Sequence, residues 1–76
     1  MNNQIISILN GIRPEFDFSE DVNFIEEGML DSFDVVSLVS ELEENFGINI
    51  NGVDILPENF SSIENIKSLI NKSEKK

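Results

Sequence analysis

At seventy-six residues the chain has room for one small domain, and a chain this short buries only about 60% of its unfolded surface, so its core is thin. It contains no Cys, His, Trp or Tyr, which removes disulfides, thiolate or imidazole metal sites and the usual base for a serine nucleophile. The net charge is −10, and between Pro14 and Ile66 fourteen acids stand without a single Lys or Arg. Such a field repels phosphate backbones and anionic lipids and draws basic partners inward, so nucleic-acid binding is excluded.

The first predicted helix runs from about Asn3 to Gly11 or Ile12. Ile5, Ile8, Leu9 and Ile12 follow the i, i+3, i+4, i+7 spacing of one helical face. Gly11 and Pro14 are expected to stop it. Residues 13–31 then show neither helical nor strand periodicity, which is long for bare loop in a compact domain. Phe16, Phe18, Val22, Phe24, Ile25 and Leu30 imply that this segment crosses the bundle and packs into it, bracketed by Pro14 and Gly28.

Ser32 to Phe46 is the strongest helix. Val35, Leu38, Val39, Leu42 and Phe46 recur on one face, and Gly47 follows as an end signal. Ile48-Asn49-Ile50-Asn51 alternates like a strand, but with no partner strand in view it is read as an extended connector. Pro57-Glu58-Asn59-Phe60 suggests a short helical turn with Pro at its first position. Ser61 and Glu64 are spaced as a capping box for a last helix that carries Ile63, Ile66, Leu69 and Ile70 inward. The expected fold is all-α: a small four-helix bundle of three main helices plus one short helix, with a long first loop. Residues 1–72 form the single domain and 73–76 a flexible tail.

No apolar run reaches the roughly 18 residues of a membrane span. Met1-Asn2-Asn3-Gln4 lacks the positive flank and apolar stretch of a secretory signal, so a cytoplasmic protein is expected.

Chemistry concentrates at Gly28-Met29-Leu30-Asp31-Ser32-Phe33-Asp34, where a loop meets the start of the strongest helix. Ser32 falls at or beside the first turn, with its hydroxyl facing solvent. No His exists to activate it, and the four lysines lie in the last ten residues, so self-contained catalysis is not expected. An anion esterified to Ser32 would be favoured by the helix dipole and free N–H groups. The competing reading is that Ser32 or Asp31 merely caps the helix. At about 100° per residue, Asp34, Ser37, Glu41 and Glu44 form an acidic ridge, while Phe33, Val36 and Ser40 lie off both ridge and core stripe. Phe33 and Val36 rimmed by acids read as a docking surface. Alternatively, Phe33 tucks back beneath the loop near Met29 or Leu30. Without His or Cys only weak divalent binding to carboxylates would remain, and no EF-hand spacing exists, so no metal site is expected.

Asp31-Ser32-Phe33-Asp34, followed by Val36, Leu38, Val39, Leu42, Glu43, Glu44, Phe46 and Gly47, resembles the acyl carrier protein family, whose Asp-Ser-Leu-Asp signature opens its second helix. Phe24-Ile25-Glu26-Glu27 is similar to the family's loop before the motif, Pro57–Phe60 falls where a short third helix is expected, and Ser62-Ile63 precedes a fourth. The resemblance implies that Ser32, beside Asp31, receives a 4′-phosphopantetheine arm from coenzyme A through a separate phosphopantetheinyl transferase. It implies a monomeric carrier, with no catalytic residue of its own, that holds acyl or aminoacyl groups as thioesters. Loading and transferring enzymes of fatty acid, polyketide or related biosynthesis would then dock through basic patches. By position it assigns partner binding to Phe33, Asp34, Val36, Ser40, Glu43 and Glu44. Phe33 in place of Leu, a glycine as far back as Gly28, and Ser37 where an acid is common look more like carriers of specialised pathways, including D-alanyl, aminoacyl and peptidyl carriers. The contrasting hypothesis is an acidic helical interaction module without a prosthetic group.

Overall fold

A computed structural model describes residues 2–75. Helix α1 spans Asn2–Ile12 and buries Ile5 and Leu9, with Ile8 and Ile12 partly covered. Gly11 lies inside its last turn and does not take the left-handed conformation of a terminating glycine. The helix ends instead where Arg13 donates its N–H to the Leu9 carbonyl and Pro14 can no longer continue the ladder.

Residues 13–31 contain turns and bends only, yet Phe18, Phe24, Met29 and Leu30 are core residues, with Phe16, Val22 and Ile25 packed around them. Phe18 meets Phe24 edge-on with ring centroids 5.1 Å apart, and Phe16 stands edge-on to Phe18 at 6.4 Å, a geometry that suits the ring quadrupoles. The Phe24 carbonyl accepts the N–H groups of Met29 and Leu30, while its own N–H donates to the Ser61 carbonyl at 2.8 Å. Gly28, at φ +72°, makes the reversal between them. The long loop is therefore an ordered layer whose backbone bonds close within it and onto the approach to the last helix.

Helix α2, Ser32–Phe46, buries Val35, Leu38 and Leu42. Val39 and Phe46 lie at the edge of the core. Strand β1, Ile48–Asn49, follows directly, then two 3₁₀ turns at Gly52–Asp54 and Pro57–Phe60, helix α3 at Ile63–Lys72, and strand β2 at Glu74–Lys75. Helix α1 packs against both α2 and α3, and the second 3₁₀ turn bridges α2 and α3 through buried Phe60. The described residues are thus mostly helical, with three α-helices among them.

Three expectations are corrected. Ile48–Asn49 has a partner: it pairs antiparallel with Glu74–Lys75, Ile48 opposite Lys75 and Asn49 opposite Glu74. The segment expected to be a flexible tail is accordingly tied down over 73–75, with Ser73 closing α3 through N–H bonds to Leu69 and Ile70; Lys76 lies outside the described residues. The cap of α3 is Ser62, which accepts the Asn65 N–H at 3.1 Å. Ser61 is buried, its hydroxyl donating to the Glu58 carbonyl and accepting from the Asn65 side chain. The short helix at Pro57–Phe60 is a 3₁₀ turn with Pro57 at its start.

Candidate functional site at the start of helix α2

Asp31 is the N-cap of α2. Its carboxylate accepts the Asp34 N–H at 3.0 Å, and the Asp34 carboxylate accepts the Asp31 N–H at 3.0 Å. This is a reciprocal capping box with the shorter Asp at the third position in place of Glu or Gln. The two acids satisfy the first amides of the helix between them. Ser32, caught between, takes no part in the cap and is exposed. The local sequence thus closes the helix with its neighbours and leaves the hydroxyl unencumbered.

Arg13 binds the same two acids from across the chain. Its Nε donates to Asp34 at 2.7 Å, one terminal nitrogen to Asp31 at 3.0 Å and the other to Glu15 at 3.1 Å. The guanidinium is held even more firmly charged than usual, first by its bond to Asp34 and then by that to Glu15. The Asp31 carboxyl is lowered below its ordinary value, chiefly by the Asp34 backbone N–H, with the charge of Arg13 adding to it. Glu15 is lowered by its own backbone N–H and then by Arg13. Periodicity could not reveal this cluster, because it joins residues 18 and 21 positions apart. Its one sequence signal was that Arg13 is the sole basic residue before Lys67.

The helical wheel is reproduced on its apolar side. Phe33 is 84% and Val36 66% exposed, so Phe33 does not tuck beneath the loop. Ser40, Glu41 and Glu44 also face solvent. Asp34 departs from the wheel: its side chain is only 13% exposed and engaged by Arg13 and the cap. Glu43 is half-buried, its carboxylate accepting the Ile50 N–H at 2.9 Å. Two exposed apolar residues escaped notice in the sequence, Val53 and Leu56, because they lie in the irregular stretch around the 3₁₀ turns.

Beside Ser32 opens a cleft of about 420 Å³ lined by Ile25, Leu30, Asp31, Ser32, Val35, Val36, Ile55 and Pro57. Its walls are mainly aliphatic, and Asp31 and Ser32 are its only polar members. Elsewhere among the described residues, no three carboxylates converge as metal ligands.

A free hydroxyl at a helix start, framed by acids and beside an apolar cleft, invites comparison with known families. The family model described as the phosphopantetheine attachment site matches residues 4–70. The chain belongs to that family. It is a carrier, not an enzyme, and it bears covalently attached 4′-phosphopantetheine. No curated protein and no solved structure matches it. The residues at the start of α2 fit such a group: Ser32 supplies a hydroxyl that no structural bond of the cap requires, and the N-terminus of α2 favours the anionic charge of a phosphodiester. Carriers of this family act with transferases and biosynthetic enzymes, and no helix here is long and apolar enough to cross a membrane.

Proposed function

We propose that Ser32 is the attachment residue and that the protein works as a stand-alone, monomeric, cytoplasmic carrier of acyl groups, its residues 1–72 acting as a single carrier domain onto which the strand at Glu74–Lys75 folds back. The observation that carries this reading is the position of Ser32: first residue of α2, exposed, outside the cap, at the edge of an aliphatic cleft. When bound, the prosthetic arm supplies a terminal thiol that holds cargo as a thioester, a function this cysteine-free chain cannot supply itself.

Each residue around Ser32 has a separate task in this reading. Asp31 and Asp34 hold the backbone of the turn, so the hydroxyl is offered from a stiff platform to a modifying enzyme. Phe33 and Val36 give partners an apolar contact, with Ser40 and Glu44 on the neighbouring exposed surface and Glu43 behind them. Aromatic anchors with a polar rim are the usual composition of a docking patch. The aliphatic cleft supports apolar acyl cargo over a D-alanyl or other aminoacyl group, since burying a charged amine there would lack a partner.

Intact-mass measurement tests the assignment. Wild-type protein and Ser32→Ala are incubated with coenzyme A and a broad-specificity phosphopantetheinyl transferase. One arm's mass should add to wild type and nothing to the variant. Equal addition to both would move the attachment elsewhere. For the cargo, arms loaded with longer acyl chains should raise the melting temperature stepwise, while an alanyl group should not.

A further inference from the structure

Arg13 is the only basic side chain among the first sixty-six residues of a chain rich in acids, and its guanidinium goes to the carboxylates of Asp31 and Asp34 on either side of Ser32. Three different nitrogens reach three carboxylates, those of Asp34, Asp31 and Glu15, at 2.7 to 3.1 Å. A planar fork can do this and an ammonium cannot. Two structural explanations fall short. The capping box closes through backbone N–H groups of Asp31 and Asp34 without Arg13, so the helix start does not depend on it. Its pairs with Glu15 and Asp31 are open to solvent and add little to stability, and only the bond to Asp34 is sheltered.

What Arg13 changes is the charge that a visitor meets. On its side of Ser32, Asp31 and Asp34 already share a cation, and an approaching Lys or Arg would have to compete with it for the same carboxylate oxygens. On the other side, Phe33 and Val36 are open, and Glu41 and Glu44 pair with no base among the described residues. We infer that Arg13 is a specificity-determining counter-ion, withdrawing Asp31 and Asp34 from recognition so that basic partners dock through Phe33, Val36 and the Glu41–Glu44 ridge. The role in docking enzymes to the arm rests on the reading of Ser32 given above.

Two measurements separate this inference from that reading. In the first, an oligolysine peptide is titrated into the protein and backbone amide shifts are mapped by NMR. In wild type the shifts should centre on residues 41–44 and spare Asp31 and Asp34. In Arg13→Gln they should extend to Asp31 and its neighbours, with binding about two- to fivefold tighter at low salt and the difference closing at high salt. Arg13→Lys, which keeps the charge but not the three-way fork, should return the map only part of the way toward wild type. Identical maps for wild type and Arg13→Gln overturn the inference. So does a wild-type map centred on Asp31 and Asp34, a result that needs no variant to fold. In the second, the transferase reaction is followed at varied carrier concentration. Arg13→Gln should lower KM by a similar factor with kcat unchanged, whereas a fall in kcat alone would make Arg13 a shaper of the turn and overturn its role in recognition. Absence of arm addition to wild type would refute the Ser32 assignment, with the oligolysine map still deciding the role of Arg13.

Discussion

The two ends of α2 are closed by different means. At the N-terminal end the closure is made of side chains: Asp31 and Asp34 exchange bonds with each other's backbone, and Arg13 grips both. At the C-terminal end it is made of backbone: Gly47 turns left-handed at φ +62°, returns its N–H to the Glu43 carbonyl, and hands the chain to β1. Glu43 then secures Ile50 from behind. A glycine and a ladder leave little chemistry exposed. Side-chain closure by the neighbours of Ser32 leaves the side chain of the first helical residue free on a fixed backbone. One end anchors the helix and the other presents a hydroxyl.

If that division holds, the middle of α2 should matter more to stability than either end. Leu38 is 0% exposed at the centre of the core, and Leu38→Ala should cost about 2–5 kcal/mol. For a domain of this size that lowers the melting temperature by roughly 4–8 °C per kcal/mol, measured by circular dichroism. Gly47→Ala comes next. An added Cβ would meet nothing within 4 Å, so the cost is that of the left-handed backbone alone, about 1–2 kcal/mol. The same substitution at Gly11 should have the opposite sign. Gly11 sits in an ordinary helical turn with open space for a Cβ, and Gly11→Ala should stabilise by about 0.5–1 kcal/mol. A Gly47→Ala protein that melts with wild type would remove the backbone closure from the comparison.

The N-terminal end was the more legible of the two. Asp31 before an apolar stripe, Ser32 behind it and Phe33 off the stripe are all local facts that placed the site, while the choice of Asp31 over Ser32 as cap and of an exposed over a tucked Phe33 came from the structure. The C-terminal end was legible only as far as Gly47. The partner of β1 is Glu74–Lys75, twenty-six residues on from Ile48 to Glu74 and without an apolar residue, and a ladder of backbone bonds leaves no mark in side-chain pattern. The sequence favoured Ser61 as the cap, because Glu64 stands three residues on. The cap is Ser62 instead, because the Ser61 carbonyl is taken by Phe24 of the long loop and its hydroxyl by Glu58 of the second 3₁₀ turn. Asp34 was misplaced for a related reason. The wheel treats α2 as a lone cylinder, and what turns Asp34 inward is an arginine outside it.

The smallest effect tests the N-terminal closure most directly. The Asp31 carboxyl is lowered from its ordinary value, first by the Asp34 N–H and then by Arg13, so the folded protein takes up that proton less readily than the unfolded chain. Its contribution to stability is present in full above the unfolded value, about 3.9, and is lost as pH falls through the lower folded value. Asp31→Asn keeps a capping oxygen, since Asn caps about as well as Asp, and removes only the charge. The variant should therefore melt slightly below wild type at neutral pH, and the two curves should converge as the solution is acidified below the ordinary carboxyl range. Some acid sensitivity must survive in the variant, because Glu15 and Asp17 are lowered as well, Asp17 by the Ser19 hydroxyl and N–H. Convergence is thus the diagnostic, not the disappearance of the slope. Curves that stay parallel into acid would mean that the charge on Asp31 does nothing for the folded state, and the cap would then rest on hydrogen-bond geometry alone.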